Sequence, residues 1–357
     1  MTKPLNPEKS LSEQPRLSIV IVSWNCRLYL EECLASIFSA ERSFPLEIII
    51  VDNASSDETV AWLKSSFPGL KIIASPKNLG FPRSCNLGLK NARGEYFLLL
   101  NPDTKLRKDT LVKAVEFIGK NPAIGMLGVK IRRPDGSLQL HGGRAFPTLA
   151  SLLFNSLGLD RAFPSLRLFS SPDMPWWDHE NSQKVDMISG TFMLFRRAVY
   201  KKIMGLDETL PMFFEDMEYC WRVKKNGWEV FYLAETEILH YSGVSSSRAN
   251  SFWITSLKYE ANRLMLLTLE RKVEARLYPF MVFILTPLRL FLFPLWFGAL
   301  KIKKRKIYPP AYLTELAHSW LWTLRTLLNR KIDYSKFLNH QAKPDRQKAP
   351  KKIGQTK

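Results

Sequence analysis

What most constrains this chain is a series of four short apolar runs, separated by stretches of helical spacing, that ends at Asn101-Pro102-Asp103. The runs are Leu17 to Ser23, Leu46 to Val51, Leu70 to Ala74 and Tyr96 to Leu100. Continuous apolar and β-branched runs of this length read as strands buried on both faces of a parallel sheet. Leu30, Leu34 and Ile37, with Cys33 beside them, give the first intervening stretch a helical stripe. Ser56 or Asp57 can cap a second helix through Phe67, and a third follows Phe81 to about Ala92. Strand and helix in strict alternation predict an α/β fold, a doubly wound, mostly parallel sheet flanked by helices. The chain has no Gly-x-Gly-x-x-Gly after its first strand and no Gly-Lys-Ser/Thr loop, so neither common phosphate loop is expected.

Open α/β sheets bind ligands at the carboxyl ends of their strands. Here those ends are Ser23-Trp24-Asn25, Asp52-Asn53 and Asn101-Pro102-Asp103. Pro102 cannot donate to a ladder, so the fourth strand stops there and the chain turns. The turn offers an amide and a carboxylate two residues apart, which can face a hard cation or a diphosphate. It can equally be an Asx-type turn before the helix expected near Lys108. Asp52 can accept from the imide N–H of a pyrimidine base, or serve as the turn acid of the helix after Ser55.

Val20 to Asn25, Ile48 to Asp57, Asn78-Leu-Gly-Phe81, Asn86-Leu-Gly88 and Leu99-Leu-Asn-Pro-Asp-Thr104 together resemble a family 2 glycosyltransferase of GT-A fold. The likeness covers about residues 17 to 245, and the order and spacing of the motifs make it specific. Asn101-Pro102-Asp103 stands where the family has two acids, a variant similar to rhamnosyl- and galactofuranosyl-transferase members. The resemblance implies donor contacts by Ser23, Trp24, Asn25, Asp52, Asn53, Asn78, Gly80, Arg83, Asn86, Asn101 and Asp103. It implies a divalent cation, Mg²⁺ or Mn²⁺, held by Asp103 and His240 with Asn101 beside them. Gly190 and Thr191 would line the acceptor side, and Ser245 to Arg248 would contact the donor phosphates. Asp216 matches the family's base, with Glu215 orienting it or holding acceptor hydroxyls. The reaction implied is inverting transfer of L-rhamnose from dTDP-rhamnose to a lipid-linked or glycan acceptor in cell-surface polysaccharide synthesis. A galactofuranosyl or other hexosyl transfer from a UDP-sugar is the alternative.

The residues of the second half support these roles to different degrees. Helix is expected from Lys108 to Gly119 and strand from Ile124 to Val129, with a hairpin signal at Pro134-Asp135-Gly136. Arg144 to Lys184 has little periodicity and reads as a long loop. Its Trp176 and Trp177 suit stacking on sugar rings or packing inside the excursion. Val185 to Phe195 reads as one strand with close backbone approach at Gly190. Glu215 and Asp216 open a helix to about Lys225, ended by Asn226-Gly227. Acids in a first turn suit the helix dipole, while the preceding Met-Phe-Phe would raise their pKa toward general-base range. Trp228 to Leu233 is a further strand, and His240 follows it.

Lys and Arg number 52 against 33 Asp and Glu, a net charge of +19, which asks for an anionic partner. The basic residues cluster at Lys301 to Lys306 and beyond Arg330, away from the predicted site. No RNA-binding motif accompanies them, so a nucleic-acid partner is not expected. A nucleotidyltransferase would want a Gly-rich first loop and a further metal carboxylate. Leu277 to Leu300 carries one charge, Arg289, and as a full helix would measure about 36 Å. Pro279, Pro287, Pro294 and Arg289 argue for a broken helix lying in a membrane interface, or a re-entrant hairpin, rather than a simple span. Leu313, Leu316, Trp320, Leu321 and Leu324 suggest a second membrane-facing helix between Tyr308 and Asn329. The expectation is a peripheral or monotopic enzyme on the cytoplasmic face of the plasma membrane, its basic cluster on anionic headgroups. A flexible N-terminus over 1–16 without an apolar h-region, a catalytic unit over 17–248, a helical region over 249–329 and a basic disordered tail over 330–357 complete the layout. The cysteines Cys26, Cys33, Cys85 and Cys220 have no metal-type spacing and read as reduced thiols.

Overall fold

The computed structural model describes residues 14–210, 213–241, 251–302 and 309–328, with side chains in the last two segments described for 252–289 and 313–328. The first half follows the alternation of the sequence: β1 (Leu17–Ser23), α1 (Arg27–Ser39), β2 (Leu46–Asp52), α2 (Thr59–Ser66), β3 (Lys71–Ala74), α3 (Phe81–Lys90) and β4 (Tyr96–Leu100). These strands run parallel in the order β3-β2-β1-β4. Every residue of β1 and β4 is buried, because both faces are covered. Val20, Ile49 and Val51 point to one layer, with Cys85 and Leu89 of α3. Ile19, Ile21, Ile48 and Ile50 point to the other, with Leu30 and Leu34 of α1 and Leu63 of α2. Each such side chain contributes about 1.5–3 kcal/mol of burial. A Cβ at Gly88 would collide with Val20 and Val51, so α3 presses onto the sheet only because that position is glycine. Register aligns Ser23 with Asp52 and Ile21 with Leu100, which brings the three predicted strand ends to one edge.

The second half continues the same sheet in a different manner. Its elements are β5 (Thr104–Leu106), α4 (Thr110–Lys120), β6 (Ile124–Arg132), α5 (Leu149–Leu157), α6 (Leu159–Ala162), β7 (Gln183–Val185), β8 (Phe192–Arg196), α7 (Arg197–Ile203), α8 (Glu215–Lys225) and β9 (Glu229–His240). The sheet goes on as β4-β8-β6-β9-β5, with β7 also on β9. The pairs β4–β8, β6–β8, β5–β9 and β7–β9 are antiparallel, and only β6–β9 is parallel. The sheet is therefore mixed, not mostly parallel. The expected single strand Val185 to Phe195 is two: β7 on the edge of β9, and β8 inserted beside β4. The expected long loop 144–184 contains α5, whose start is a capping box between Thr148 and Ser151 and whose end is Gly158 at φ +71°. Pro134-Asp135-Gly136 does make the tight turn, with Gly136 at φ +80° and the Arg133 N–H donating to the Ser137 carbonyl at 2.8 Å.

Three helices follow: α9 (Ser251–Thr268), α10 (Lys272–Ile302) and α11 (Pro309–Leu327). They pack on one another and on α5, through Leu152, Leu266, Tyr278, Val282 and Trp322. The Glu274 carboxylate accepts from the Leu149 N–H at 2.7 Å, tying α10 to the start of α5. The expected break in α10 is absent: one helix runs through Pro279, Pro287 and Pro294. Tyr278 and Val282 flank Pro279 and are buried in the bundle, so tertiary packing holds the helix across the lost hydrogen bond. No helix among the described residues is long and apolar enough to cross a membrane. Leu316, expected to face lipid, is buried against the bundle, whereas Leu313, Trp320 and Leu321 are exposed. The side chains of Lys301 to Lys306 and the tail from Arg330 lie outside the described residues.

Candidate active site

The ends of β1 and β2 build the first wall. Asp52 is buried, and its Oδ1 accepts from the Ser55 N–H at 3.0 Å. Its Oδ2 is buried with no partner among the described residues, and burial raises the carboxyl pKa. A buried carboxylate oxygen without a donor is costly, so it suits a ligand N–H. Four asparagines expected on the donor also bond to neighbouring loops. Asn25, at φ +51°, accepts from the Ser56 N–H at 2.7 Å. Asn53 donates to Asn78 Oδ1 at 2.9 Å and accepts from the Leu79 N–H at 2.7 Å. Asn78 accepts from the N–H of Gly80, which sits at φ +81°. Asn86 donates to the Leu206 carbonyl at 2.8 Å and accepts from the Leu206 N–H at 2.9 Å. Arg83 is exposed and pairs with Glu208 at 3.6 Å. Ser23 is buried and Trp24 half-buried at the end of β1.

The second wall starts at Asn101-Pro102-Asp103 and turns straight into β5, a three-residue strand that sequence reasoning missed. Thr104 pairs with His240 across β5–β9, and the Tyr241 N–H donates to the Asp103 carbonyl at 3.0 Å. This register brings Asp103 Oδ1 to 3.3 Å from His240 Nε2, with both side chains largely buried. Two donors bound to one ion at right angles, each at about 2.1 Å, lie about 3 Å apart, so this pair fits a divalent cation. Gln139 closes on His240 from behind, with two hydrogen bonds of 2.9 and 3.0 Å.

The third wall is α8. Its first residues, Glu215 and Asp216, follow Phe213, held at φ +74°, which costs on the order of 1–3 kcal/mol. Glu215 is buried and accepts from the Phe214 N–H at 3.0 Å. Burial and the neighbouring Asp216 charge push its carboxyl up to about 8. Burial also raises Asp216, against the opposing pull of the Gly190 N–H and the Arg144 charge. The Gly190 N–H donates to Asp216 Oδ2 at 3.2 Å, and the Thr191 carbonyl accepts from the Asn101 N–H at 3.1 Å. Thus the loop before β8 links the acid pair to the end of β4. A Cβ at Gly190 would stand 3.8 Å from Phe81 and 3.9 Å from Asp216, so the position is not crowded and lies in no strand.

Trp177 is not available to a sugar: it packs in the core, stacked on His179 at 3.9 Å. Trp176 is half-buried with the Arg167 guanidinium 4.0 Å over its ring. Two residues near the site went unrecognised. Arg144 reaches Asp173 at 2.6 Å and acts on Asp216, but a lone arginine in an aperiodic stretch carries no sequence signal. Gln139 was visible only as one polar position in a hairpin. Ser245 to Arg248 lie outside the described residues.

Fold and site together are those of a glycosyltransferase of GT-A-like mixed α/β architecture. Residues 18–204 match the model of Glycosyl transferase family 2, and the chain belongs to that family. It is 26% identical over 250 residues to an N-acetylglucosaminyl-diphospho-decaprenol L-rhamnosyltransferase of Mycobacterium tuberculosis, covering 65% of this chain and 78% of that protein. The rhamnosyltransferase WbbL of Escherichia coli is 24% identical over 234 residues, covering 63% and 83%. The mannosyltransferase PcManGT from Pyrobaculum calidifontis, solved with GDP-Man and Mn²⁺, shares the fold at TM-score 0.56 over 92% of each chain, with 15% identity.

Proposed function

We propose that the chain transfers a sugar with inversion from a nucleoside diphosphate donor to an acceptor hydroxyl, with Asp216 as the base. One observation carries this reading: the hydrogen-bonded arc from Asp216 through Gly190 and Thr191 to Asn101. It ties the acid pair to the end of β4, two residues before Asp103. Asp103 and His240 would hold a divalent cation, Mn²⁺ or Mg²⁺, with Asn101 beside it. When bound, the cation neutralises the leaving diphosphate. Asp52 accepts the base N–H of the donor, within a loop frame fixed by Asn25, Asn53 and Asn78. Asp216 takes the acceptor proton as its oxygen attacks the anomeric carbon, and Glu215, protonated near neutrality, orients the acceptor. The Gly190 N–H and the Arg144 charge oppose the rise that burial imposes on Asp216.

Relatives named as rhamnosyltransferases favour L-rhamnose, from dTDP-rhamnose, and a diphosphate-linked lipid or glycan acceptor. UDP-hexose is the second reading. The exposed apolar residues Val273, Leu277, Phe280, Ile284 and Leu288 recur along one face of α10. That stripe supports binding to an anionic membrane surface on the cytoplasmic side, where such an acceptor is presented. A screen of purified protein against dTDP-, UDP- and GDP-sugars, with and without Mn²⁺, tests the activity. Metal-stimulated turnover of dTDP-rhamnose is expected, and no turnover of any donor would overturn the reading. Sedimentation with anionic vesicles tests the surface, and full-length protein left in the supernatant at low salt would refute it.

A further inference from the structure

Gln139 is buried, at 2% exposure, just beyond the hairpin turn, and its N–H donates to the Ile131 carbonyl at 2.8 Å. Its side chain makes two bonds to a single residue. Gln139 Nε2 donates to the His240 carbonyl at 2.9 Å, and Oε1 lies 3.0 Å from His240 Nδ1. A carbonyl can only accept, so the first bond fixes which end of the amide is which. Oε1 then faces the ring, and an amide oxygen can only accept, so Nδ1 must carry the hydrogen. A neutral imidazole with its hydrogen on Nδ1 has its lone pair on Nε2. Nε2 is the atom 3.3 Å from the Asp103 carboxylate. Without a cation, a doubly protonated ring can donate from Nε2 to Asp103; a bound cation would take the place of that hydrogen, while Nδ1 keeps its own.

We propose that Gln139 is a positioning residue that locks His240 in the ligating tautomer and aims Nε2 at the space beside Asp103. This rests on the reading of Asp103 and His240 as the cation pair. The backbone bond fixes which end of the amide meets the ring, and the ring bond sets the tautomer. Partners of this kind typically change metal affinity about 10–100-fold.

The test uses the full chain and Mn²⁺ alone, with binding followed by electron paramagnetic resonance. Gln139→Leu is expected to weaken Mn²⁺ binding about 10–100-fold. Gln139→Glu, which still accepts from Nδ1–H, is expected to keep it. Should Gln139→Leu fail to fold, Gln139→Asn carries the same expectation, because its shorter side chain cannot reach both atoms. Long-range ¹⁵N correlation of the neutral His240 ring in the metal-free protein should show the Nδ1–H form in wild type and its loss in Gln139→Leu. An Nε2–H form in wild type, or unchanged Mn²⁺ affinity in Gln139→Leu when His240→Ala has lost it, overturns the inference. If His240→Ala binds Mn²⁺ like wild type, the cation reading fails instead, while the tautomer result still decides the role of Gln139.

Discussion

The two halves of the sheet manage their polar groups in opposite ways. At the ends of β1 to β3, Asn25, Asn53 and Asn78 bond to neighbouring loops, and Asp52 Oδ2 is buried without a partner among the described residues. At the start of α8, Glu215 is buried and Asp216 half-buried, with backbone N–H groups of Phe214, Gly190 and Met217 donating to the pair, and desolvation raises both carboxyls. In the proposed reading the first half holds a shape and recognises one group. The second holds carboxyls displaced from their ordinary protonation, which a general base requires. Binding and proton transfer should therefore separate when each half is altered.

The largest separation is expected from Asp216→Asn. Turnover should fall about 10²–10⁴-fold while donor affinity is kept, because an amide cannot take the proton. In wild type the acid limb of the rate profile should lie above the ordinary aspartate range, since burial raises this carboxyl. Near wild-type turnover of the variant would give the base another identity. Next, Asp103→Ala and His240→Ala should each cost on the order of 100-fold in metal-dependent donor binding. Activity that persists in EDTA would remove the cation from both roles. Asp52→Ala should raise donor KM about 10–100-fold with little change in kcat, and unchanged affinity for free UDP and dTDP would refute base recognition. Gly190→Ala should fold normally, as its methyl meets only ordinary contacts, yet lower kcat/KM for the acceptor about tenfold. Equal activity there would mean the acceptor passes elsewhere.

The smallest effect is on stability. Glu215 rises to about 8 in the fold, against about 4.5 when unfolded. The native state thus holds a proton that the unfolded chain has lost, so stability falls as pH climbs from about 4.5 to about 8 and stays lower above. Glu215→Gln should flatten that fall and raise Tm at about pH 9 relative to wild type. An unchanged slope would mean the carboxyl is ionised in the native state.

The first half was legible because β1, β4 and most of β2 are buried on both faces and read as unbroken apolar runs, with the half-exposed β3 on the edge. Its ligand edge follows from parallel register alone. The second half was harder for three reasons. β5 and β7 are three residues each, too short for any period, yet β5 is what delivers Asp103 to His240. Antiparallel insertion of β8 beside β4 is a tertiary choice that no local pattern announces. α5 did carry a signal, Thr148 with Ser151 and then Gly158, but its own Leu149 and Leu152 pack with α10 rather than on the sheet. The site residues divide in the same way. Asp216 and Asp103 stand in recognisable motifs, whereas Asn53, Asn78 and Asn86 share the motifs but bond within the protein, and Arg144 and Gln139 come from positions without any.

The central claim is a single displacement, with one carboxylate removing the acceptor proton on the face opposite the leaving diphosphate. It is tested most directly by the anomeric configuration of the first product, read by proton NMR before mutarotation or hydrolysis can scramble it. Asp216 acting as the base opposite the leaving diphosphate, as proposed, predicts a product inverted relative to the donor. A product of retained configuration would require a second displacement or a front-face path, and would contradict the role given to Asp216.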